Sequence, residues 1–243
     1  MTNVLVVYKK NFESIHDESL ERLKSILDEM RSTHQLRVEL RARERVRRAD
    51  FIGRDLVIVL GGDGTLTSIS HNIDENTPVM GVNSHPVSSD ENGSVGFYMD
   101  STIDTFADDF TKALNGQALV NNLPRLRAII DSTSGNRYTT DPAMNELLIA
   151  NTHQYAPSKY HLRRGELNTN QQSSGLIFST WLGQGAWFSH SLDTHTLEQV
   201  RARVLDGEEE SHYFVLARDL NHHQRDNERW SWVCLLYTSD AAD

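Results

Sequence analysis

Residues 55–67 read DLVIVLGGDGTLT, and this stretch determines how the chain is expected to fold. An uninterrupted apolar run over residues 56–60 that ends at glycines is typical of a buried strand in a parallel sheet. Residues 61–65, called the glycine turn below, predict a tight turn, and residues 65–73 predict a helix after it. Glycines without a Cβ let backbone N–H groups converge on an anion, and a helix N-terminus adds its positive end. The stretch therefore predicts a phosphate-binding turn.

Asp63 is the unusual residue of this turn, because a carboxylate would repel a phosphate. It suits a base that faces a substrate hydroxyl, or a ligand for the magnesium ion that accompanies a nucleotide. Glycines and aspartate also occur together in turns for purely conformational reasons, and the letters GGDG alone leave both interpretations open. The complete context of strand, GGDGT and helix favours phosphate handling.

Length, charge and cysteine content limit the class of protein. The chain has 243 residues, enough for one large domain or two modest ones, and its formal net charge is −10. An acidic chain of this kind argues against nucleic acid as the main partner, because binding a phosphate backbone needs a basic surface. No apolar run is long enough to span a bilayer, so we expect no membrane partner. The single cysteine, Cys234, fits a reducing compartment, and we expect a cytoplasmic protein.

Strand and helix patterns alternate along the first half of the chain. The predicted strands cover residues 3–8, 56–60 and 78–82, and the predicted helices cover residues 17–31, 65–73 and 103–114. Residues 35–48 are rich in charge: Val38 and Leu40 alternate as in a strand, and the arginines after them predict a solvated helix. This alternation predicts an α/β N-terminal domain, Rossmann-like with a parallel sheet.

The pattern changes near residue 121, where the helical period disappears. Short alternating runs separated by turn residues then predict a mostly β C-terminal domain. These runs cover residues 123–130, 146–150, 159–162, 175–180 and 212–217. We expect domains over residues 1–118 and 119–233. Residues 234–243 end in LLYTSDAAD, which resembles translated sequencing adapter. We expect this tail to be non-native, without a packed role, and the β domain to be truncated.

Motifs beyond the glycine turn resemble a known family. In order, the chain carries GGDGT at residues 61–65, GVN at 81–83, GF at 96–97, NE at 145–146 and SSGLIFSTWLGQGAW at 173–187. This order resembles that of NAD kinases over roughly residues 1–190. The SSG form and the aromatic Trp187 are most similar to the mitochondrial-type branch and its bacterial relatives.

The resemblance implies an ATP-dependent enzyme that transfers phosphate to the 2′-hydroxyl of the adenosine ribose of NAD, giving NADP. It implies that ATP and NAD are the substrates and that Mg²⁺ is the accompanying ion. It also implies that Asp63 is the catalytic residue and that the protein has no dedicated metal site. We also expect a homo-oligomer, a dimer. Asn145 and Glu146 match the pair that holds the ribose hydroxyls and nicotinamide-side groups. The full set of expected nucleotide-binding residues is Gly61, Gly62, Gly64, Thr65, Asn83, Asn145, Glu146, Thr180, Gly183, Ala186 and Trp187.

Two departures from the family pattern keep alternatives open. Leu182 and Gln184 stand where NAD kinases commonly have hydroxyl residues, and the segment between Asn83 and Gly96 is longer than usual. One alternative is a catalytically idle nucleotide-binding relative. Another is a lipid or sugar kinase that shares GGDGT, although lipid kinases usually place Asn-Glu directly after the glycines. Here Asn-Glu lies far downstream, which favours NAD.

Overall fold

The computed structural model describes residues 1–10, 14–89, 91–153, 155–164, 167–180, 182–183, 186–190, 212–219 and 232–238. The chain forms two compact units, Met1–Asn122 and Leu123–Asp243. Among the described residues, no helix combines the length and the apolar character that a membrane span requires. The domain boundaries that we expected at residues 118 and 233 remain predictions.

The first unit contains a five-stranded parallel sheet in the order β2-β1-β3-β4-β5. Parallel strands need crossover connections, and helices supply those between β1 and β2, β2 and β3, and β3 and β4. The strands are β1 (Thr2–Tyr8), β2 (Leu36–Ala42), β3 (Leu56–Gly61), β4 (Val79–Asn83) and β5 (Ser101–Thr102). The helices are α1 (Ser14–His34), α2 (Arg48–Phe51), α3 (Asp63–Ser70) and α4 (Phe106–Leu114).

The core of this unit lies on both faces of the sheet. All six residues of β3 are buried, as its continuous apolar run predicts for a central parallel strand. On one face, α1 and α4 pack on β1 and β3, with Leu23 and Phe110 completely buried. Successive strand residues point to opposite faces, so the equally buried Val57 and Val59 require cover on the other face. Helix α3 lies against β3 and buries Leu66 there.

The arginine-rich segment differs from its prediction. Instead of one solvated helix, β2 runs on to Ala42 and is followed by a 3-10 turn over Arg43–Arg45 and the four-residue α2. Pairing of β2 with β1 continues to Tyr8, which holds the backbone extended. The short α2 then buries Phe51 to 2% exposure, an anchor that the charge pattern does not reveal.

The second unit is mostly β, which confirms the predicted fold class. Its larger sheet has the antiparallel order β12-β11-β10-β8, and β9 pairs with the first half of the long β10. The strands of this sheet are β8 (Glu146–Ile149), β9 (Ser158–Arg164), β10 (Leu167–Thr180), β11 (His212–Asp219) and β12 (Trp232–Thr238). A separate hairpin joins β6 (Ile129–Asp131) to β7 (Arg137–Thr139), and α5 (Trp187–His190) follows β10.

Strand β12 includes part of the tail for which we expected no packed role. Residues 232–238 pair along their whole length with β11, from Trp232 opposite Arg218 to Thr238 opposite His212. That expectation is therefore wrong for residues 234–238, because the β-branched, aromatic and aliphatic residues of this stretch suit a strand. Residues 239–243 lie outside the described part.

Candidate functional site

The glycine turn forms where it was predicted. β3 ends at Gly61, Gly62 is extended, and α3 begins at Asp63, two residues before the predicted start. The N–H of Thr65 donates to the carbonyl of Gly62 at 2.8 Å, which closes the first turn of the helix. The first N–H groups of a helix have no partner within it, so this N-terminus can hold an anion.

The three glycines of this turn play different structural roles. A Cβ on Gly61 would lie 2.3 Å from Thr65 Oγ1, and one on Gly62 would lie 2.7 Å from Ser94 Oγ. These two positions are crowded by the protein itself, and Thr65 is only 2% exposed. A Cβ on Gly64 would meet no atom within 4 Å. The fold therefore does not require glycine at position 64, where open space borders the helix N-terminus.

The Asp63 carboxylate is held by three backbone N–H groups. Oδ2 accepts from Gly96 at 3.1 Å and from Phe97 at 3.0 Å, and Oδ1 accepts from Tyr98 at 2.8 Å. Gly96 has φ +75°, a conformation that glycine adopts readily, and this turns successive N–H groups toward the carboxylate. The predicted GGDGT and GF motifs are thus joined through this one side chain.

Asn83 lies at the carboxyl end of β4, as predicted, but it is 3% exposed and bonded within the protein. Its Nδ2 donates to the carbonyl of Ser94 at 3.1 Å, and its Oδ1 accepts from the N–H of His85 at 3.1 Å. A Cβ on Gly96 would lie 2.6 Å from this Nδ2. Asn83 therefore fastens the two ends of the segment that separates it from the GF motif.

A buried polar cluster beside the turn was not predicted. His16 and Ser84 are 5% and 4% exposed, and His16 Nδ1 lies 2.7 Å from Ser84 Oγ. Ser19 Oγ donates to the Ser84 carbonyl at 3.0 Å, and the Ser84 N–H donates to the Gly61 carbonyl at 3.0 Å. The only sequence signal is that His16 lies four residues before Leu20 on the buried face of α1.

In the second unit, the Asn-Glu motif and the glycine-rich segment lie together at the ends of β8 and β10. Thr180 Oγ1 donates to the carbonyl of Met144 at 2.6 Å, and the Thr180 N–H donates to the carbonyl of Asn145 at 3.0 Å. The N–H of Gly183 donates to Thr180 Oγ1 at 3.3 Å. A Cβ on Gly183 would lie 2.8 Å from the Asn145 carbonyl oxygen, so only glycine fits there.

Glu146 connects this arrangement to α5. Its Oε1 accepts from the N–H of Phe188 at 3.0 Å. Burial raises the pKa of the Glu146 carboxyl above its ordinary value, although the N–H groups of Phe188 and Trp187 act in the opposite direction. The Ala186 N–H donates to the Gly183 carbonyl at 2.9 Å, and Trp187 remains 51% exposed. The expected binding residues of this unit therefore cluster at one end of its sheet.

The structure also bears on the two substituted hydroxyl positions. Leu182 is 5% exposed, so its side chain packs in the protein. Gln184 lies outside the described residues. The described part of the chain contains no group of three His, Cys, Asp or Glu side chains able to hold a metal ion.

Sequence comparison finds a family and several proteins that are similar to the first unit. The ATP-NAD kinase N-terminal domain family matches residues 2–118. The probable NADH kinase of Oryza sativa subsp. japonica is 30% identical over 148 residues, which cover 54% of this chain and 44% of that protein. The NAD kinase of Legionella pneumophila (strain Corby) is 30% identical over 189 residues, 66% of this chain and 57% of that protein. The chain thus spans about half the length of the curated relatives it matches.

Two solved structures share the fold. An NAD kinase from Archaeoglobus fulgidus in complex with ATP matches with a TM-score of 0.65 and 17% identity, covering 98% of this chain and 77% of that one. Yeast NADH kinase complexed with NADH matches with a TM-score of 0.67 and 14% identity, covering 98% and 66%. At these identities the two structures support the fold alone. Over residues 2–118, which form the sheet with its glycine turn, this chain is similar to the ATP-NAD kinase N-terminal domain family.

Proposed function

We propose that this chain is an NAD kinase, which transfers a phosphoryl group from ATP to the 2′-hydroxyl of the adenosine ribose of NAD and so forms NADP. The observation that carries the proposal is the glycine turn, which lies within the family-matched segment and leaves open space at Gly64 beside the α3 N-terminus. Phosphoryl transfer depends mainly on positioning and on stabilising charge, which converging N–H groups supply.

Asp63 is the proposed base for the acceptor hydroxyl. A carboxylate has about four lone-pair sites, two on each oxygen. Among the described residues, Oδ2 accepts from Gly96 and Phe97, which use both of its sites, whereas Oδ1 accepts from Tyr98 alone. Oδ1 therefore keeps one site for the proton of a ribose hydroxyl. The same three bonds fix the direction of the carboxylate, which a general base requires.

The remaining expected residues divide between the two units. In the first, Gly61, Gly62 and Thr65 shape the turn, Gly64 leaves room for phosphate, and Asn83 holds the following segment. In the second, we propose that Asn145, Glu146 and the exposed Trp187 bind nucleotide, positioned by the internal bonds of Thr180, Gly183 and Ala186.

The substrates are proposed from the relatives. The Archaeoglobus kinase structure contains ATP and the yeast kinase structure contains NADH, so ATP and NAD or NADH are the ligands to test first. Mg²⁺ usually binds through one or two carboxylates and the phosphates of the substrate. We propose that the ion arrives bound to the phosphates of ATP. We also propose a cytoplasmic homodimer.

The direct test measures NADP or NADPH formation by the purified 243-residue chain, with ATP or polyphosphate as donor and NAD or NADH as acceptor. Asp63→Asn should lower kcat by about 10²-fold or more, the scale of a lost general base. Asn has only one acceptor oxygen, so one backbone N–H loses its partner, and stability should fall by about 1–3 kcal/mol. Assays are therefore run below the melting range of the variant.

Asp100→Asn is the matched control, since it makes the same charge change at an exposed position of the same segment. It should leave both turnover and melting unchanged. Wild-type turnover in Asp63→Asn would exclude the base role. Buried Leu182 favours one alternative, the idle relative, because an apolar packed side chain cannot hydrogen-bond a nucleotide. That alternative predicts nucleotide binding with no NADP formed under any donor and acceptor pair.

A further inference from the structure

A chain of polar side chains crosses the carboxyl end of β3. Lys9 Nζ lies 3.4 Å from His16 Nε2, and the other ring nitrogen of His16 lies 2.7 Å from Ser84 Oγ. The N–H of Lys9 donates to the Leu60 carbonyl at 3.0 Å, and the N–H of Ser84 donates to the Gly61 carbonyl at 3.0 Å. Lys9 and Ser84 therefore flank the start of the glycine turn on its two sides, and His16 links them.

This position is the one where open α/β sheets bind ligands. The strand order β2-β1-β3 means that the chain moves outward from β1 in one direction to β2 and in the other to β3. Ligands of such sheets lie in the crevice at the carboxyl ends of the two strands where the order reverses. Those strands are β1, which Lys9 follows directly, and β3, which ends in the glycine turn.

The charge on Lys9 has no counter-ion in the described part of the chain. Lys9 is half-buried, its ammonium contacts the imidazole of His16, and no carboxylate of the described residues forms an ion pair with it. An ammonium has only donors, so it bonds His16 Nε2 only when that nitrogen carries no proton. His16 Nδ1–H then donates to Ser84 Oγ. In this arrangement His16 and Ser84 hold the Lys9 ammonium at the carboxyl end of the sheet, where no carboxylate of the described residues pairs with it.

We propose that Lys9 binds a phosphate group of the nucleotide held at the glycine turn, and that His16 and Ser84 are positioning residues for its ammonium. This inference rests on the proposed function, because it deepens the same site. The ligand chemistry is a nucleotide phosphate, and a half-buried cation stabilises it more than an exposed lysine does.

Lys9→Met removes the charge and keeps the length of the side chain. The matched control is Lys10→Met, which removes the same charge from the exposed neighbouring residue. Binding of sodium tripolyphosphate, ATP and NAD is measured by titration calorimetry. Lys9→Met should weaken binding of at least one phosphate ligand by about 10-fold or more, the scale of a lost charge-assisted hydrogen bond. Lys10→Met should stay within about 2-fold, as expected for an exposed charge.

Variants of His16 separate positioning from simple packing. His16→Leu should weaken phosphate binding as Lys9→Met does, and the double variant should be no weaker than either single variant. Lys9→Arg, which keeps the charge, should retain most of the affinity and keeps the test valid if Lys9→Met fails to fold. If His16 only fills the core, His16→Leu will lower the melting temperature and leave the affinity for tripolyphosphate and nucleotides unchanged.

The outcomes distinguish this inference from the proposed function. If the wild-type chain forms NADP and Lys9→Met binds every phosphate ligand as well as Lys10→Met does, the role of Lys9 is wrong and the kinase proposal stands. If the wild-type chain binds ATP and NAD but forms no NADP, the kinase proposal fails and the Lys9 comparison still decides this inference. If the wild-type chain binds none of tripolyphosphate, ATP and NAD, the kinase proposal and the proposed role of Lys9 are both overturned.

Discussion

Replacing Gly64 by alanine separates the fold of the glycine turn from its proposed use. Gly64 is exposed, is the second residue of α3, and is not among the glycines with positive φ. An added Cβ meets nothing within 4 Å, so alanine fits without strain. Alanine is favoured over glycine in helices by at most about 1 kcal/mol, and this position is near the helix end. We therefore expect an unchanged melting temperature or a rise of about 2–4 °C.

The same methyl group should harm activity. A phosphate oxygen that accepts hydrogen bonds from the first N–H groups of α3 lies about 3 Å from their nitrogens, in the open space that a Cβ at position 64 would enter. Displacing such a phosphate is expected to lower kcat/KM by about 10–100-fold, which corresponds to about 1.4–2.7 kcal/mol of lost transition-state stabilisation.

The assay pairs NADP formation with thermal unfolding, and Gly61→Ala serves as the contrasting variant. Its Cβ would lie 2.3 Å from Thr65 Oγ1, so it should destabilise the first unit by about 1–3 kcal/mol through overpacking. Unchanged kcat/KM in Gly64→Ala would show that no phosphate approaches this turn. A marked loss of stability in Gly64→Ala would show that the local geometry of α3 is wrong.

Two further predictions concern the second unit. The raised pKa of Glu146 means that its carboxyl favours folding below its unfolded pKa of about 4.5 and loses that contribution as pH rises through the folded value. The permanently neutral Glu146→Gln should therefore raise the melting temperature at pH 7–8 and give a smaller difference near pH 4.5; an equal difference at both pH values would contradict this. Gly183→Ala places a Cβ 2.2 Å from Ser179 Oγ and should lower stability by about 1–3 kcal/mol. A wild-type melting curve for this variant, followed by circular dichroism, would show that the close approach does not exist.

The sequence predicts elements whose cause is local. β3 was expected over residues 56–60 and is observed as Leu56–Gly61. The two agree because a short apolar run that ends at glycine is typical of a buried strand. The helix expected over residues 17–31 is observed as Ser14–His34, since its apolar period fixes the buried face while its ends depend on neighbouring contacts. The glycine turn was found for the same local reason.

Contacts between distant polar groups could not be predicted. Asp63 meets N–H groups 33 to 35 residues away, and His16 meets Ser84 across 68 residues. Periodicity identifies the face of an element that is buried, but it does not identify the partner of a polar atom on that face. By its spacing, position 16 is one more buried place on α1, and the sequence does not show that its imidazole meets Ser84, the residue after β4.

The longer segment between Asn83 and Gly96 raised the question of whether the GF motif still reaches the glycine turn. The ends of this segment are tied to each other: the Ser94 N–H donates to the His85 carbonyl at 2.7 Å, and Asn83 bonds both residues. The segment is therefore closed at its base, and the entropy of closing a loop rises only slowly with its length. Asp63 then fixes the residues that follow Ser94 through three N–H groups. An insertion closed off in this way leaves the geometry at the carboxylate independent of the length of the segment. The longer segment thus leaves the GF motif in contact with Asp63, and its first residue, Ser84, contacts His16 of the proposed phosphate site.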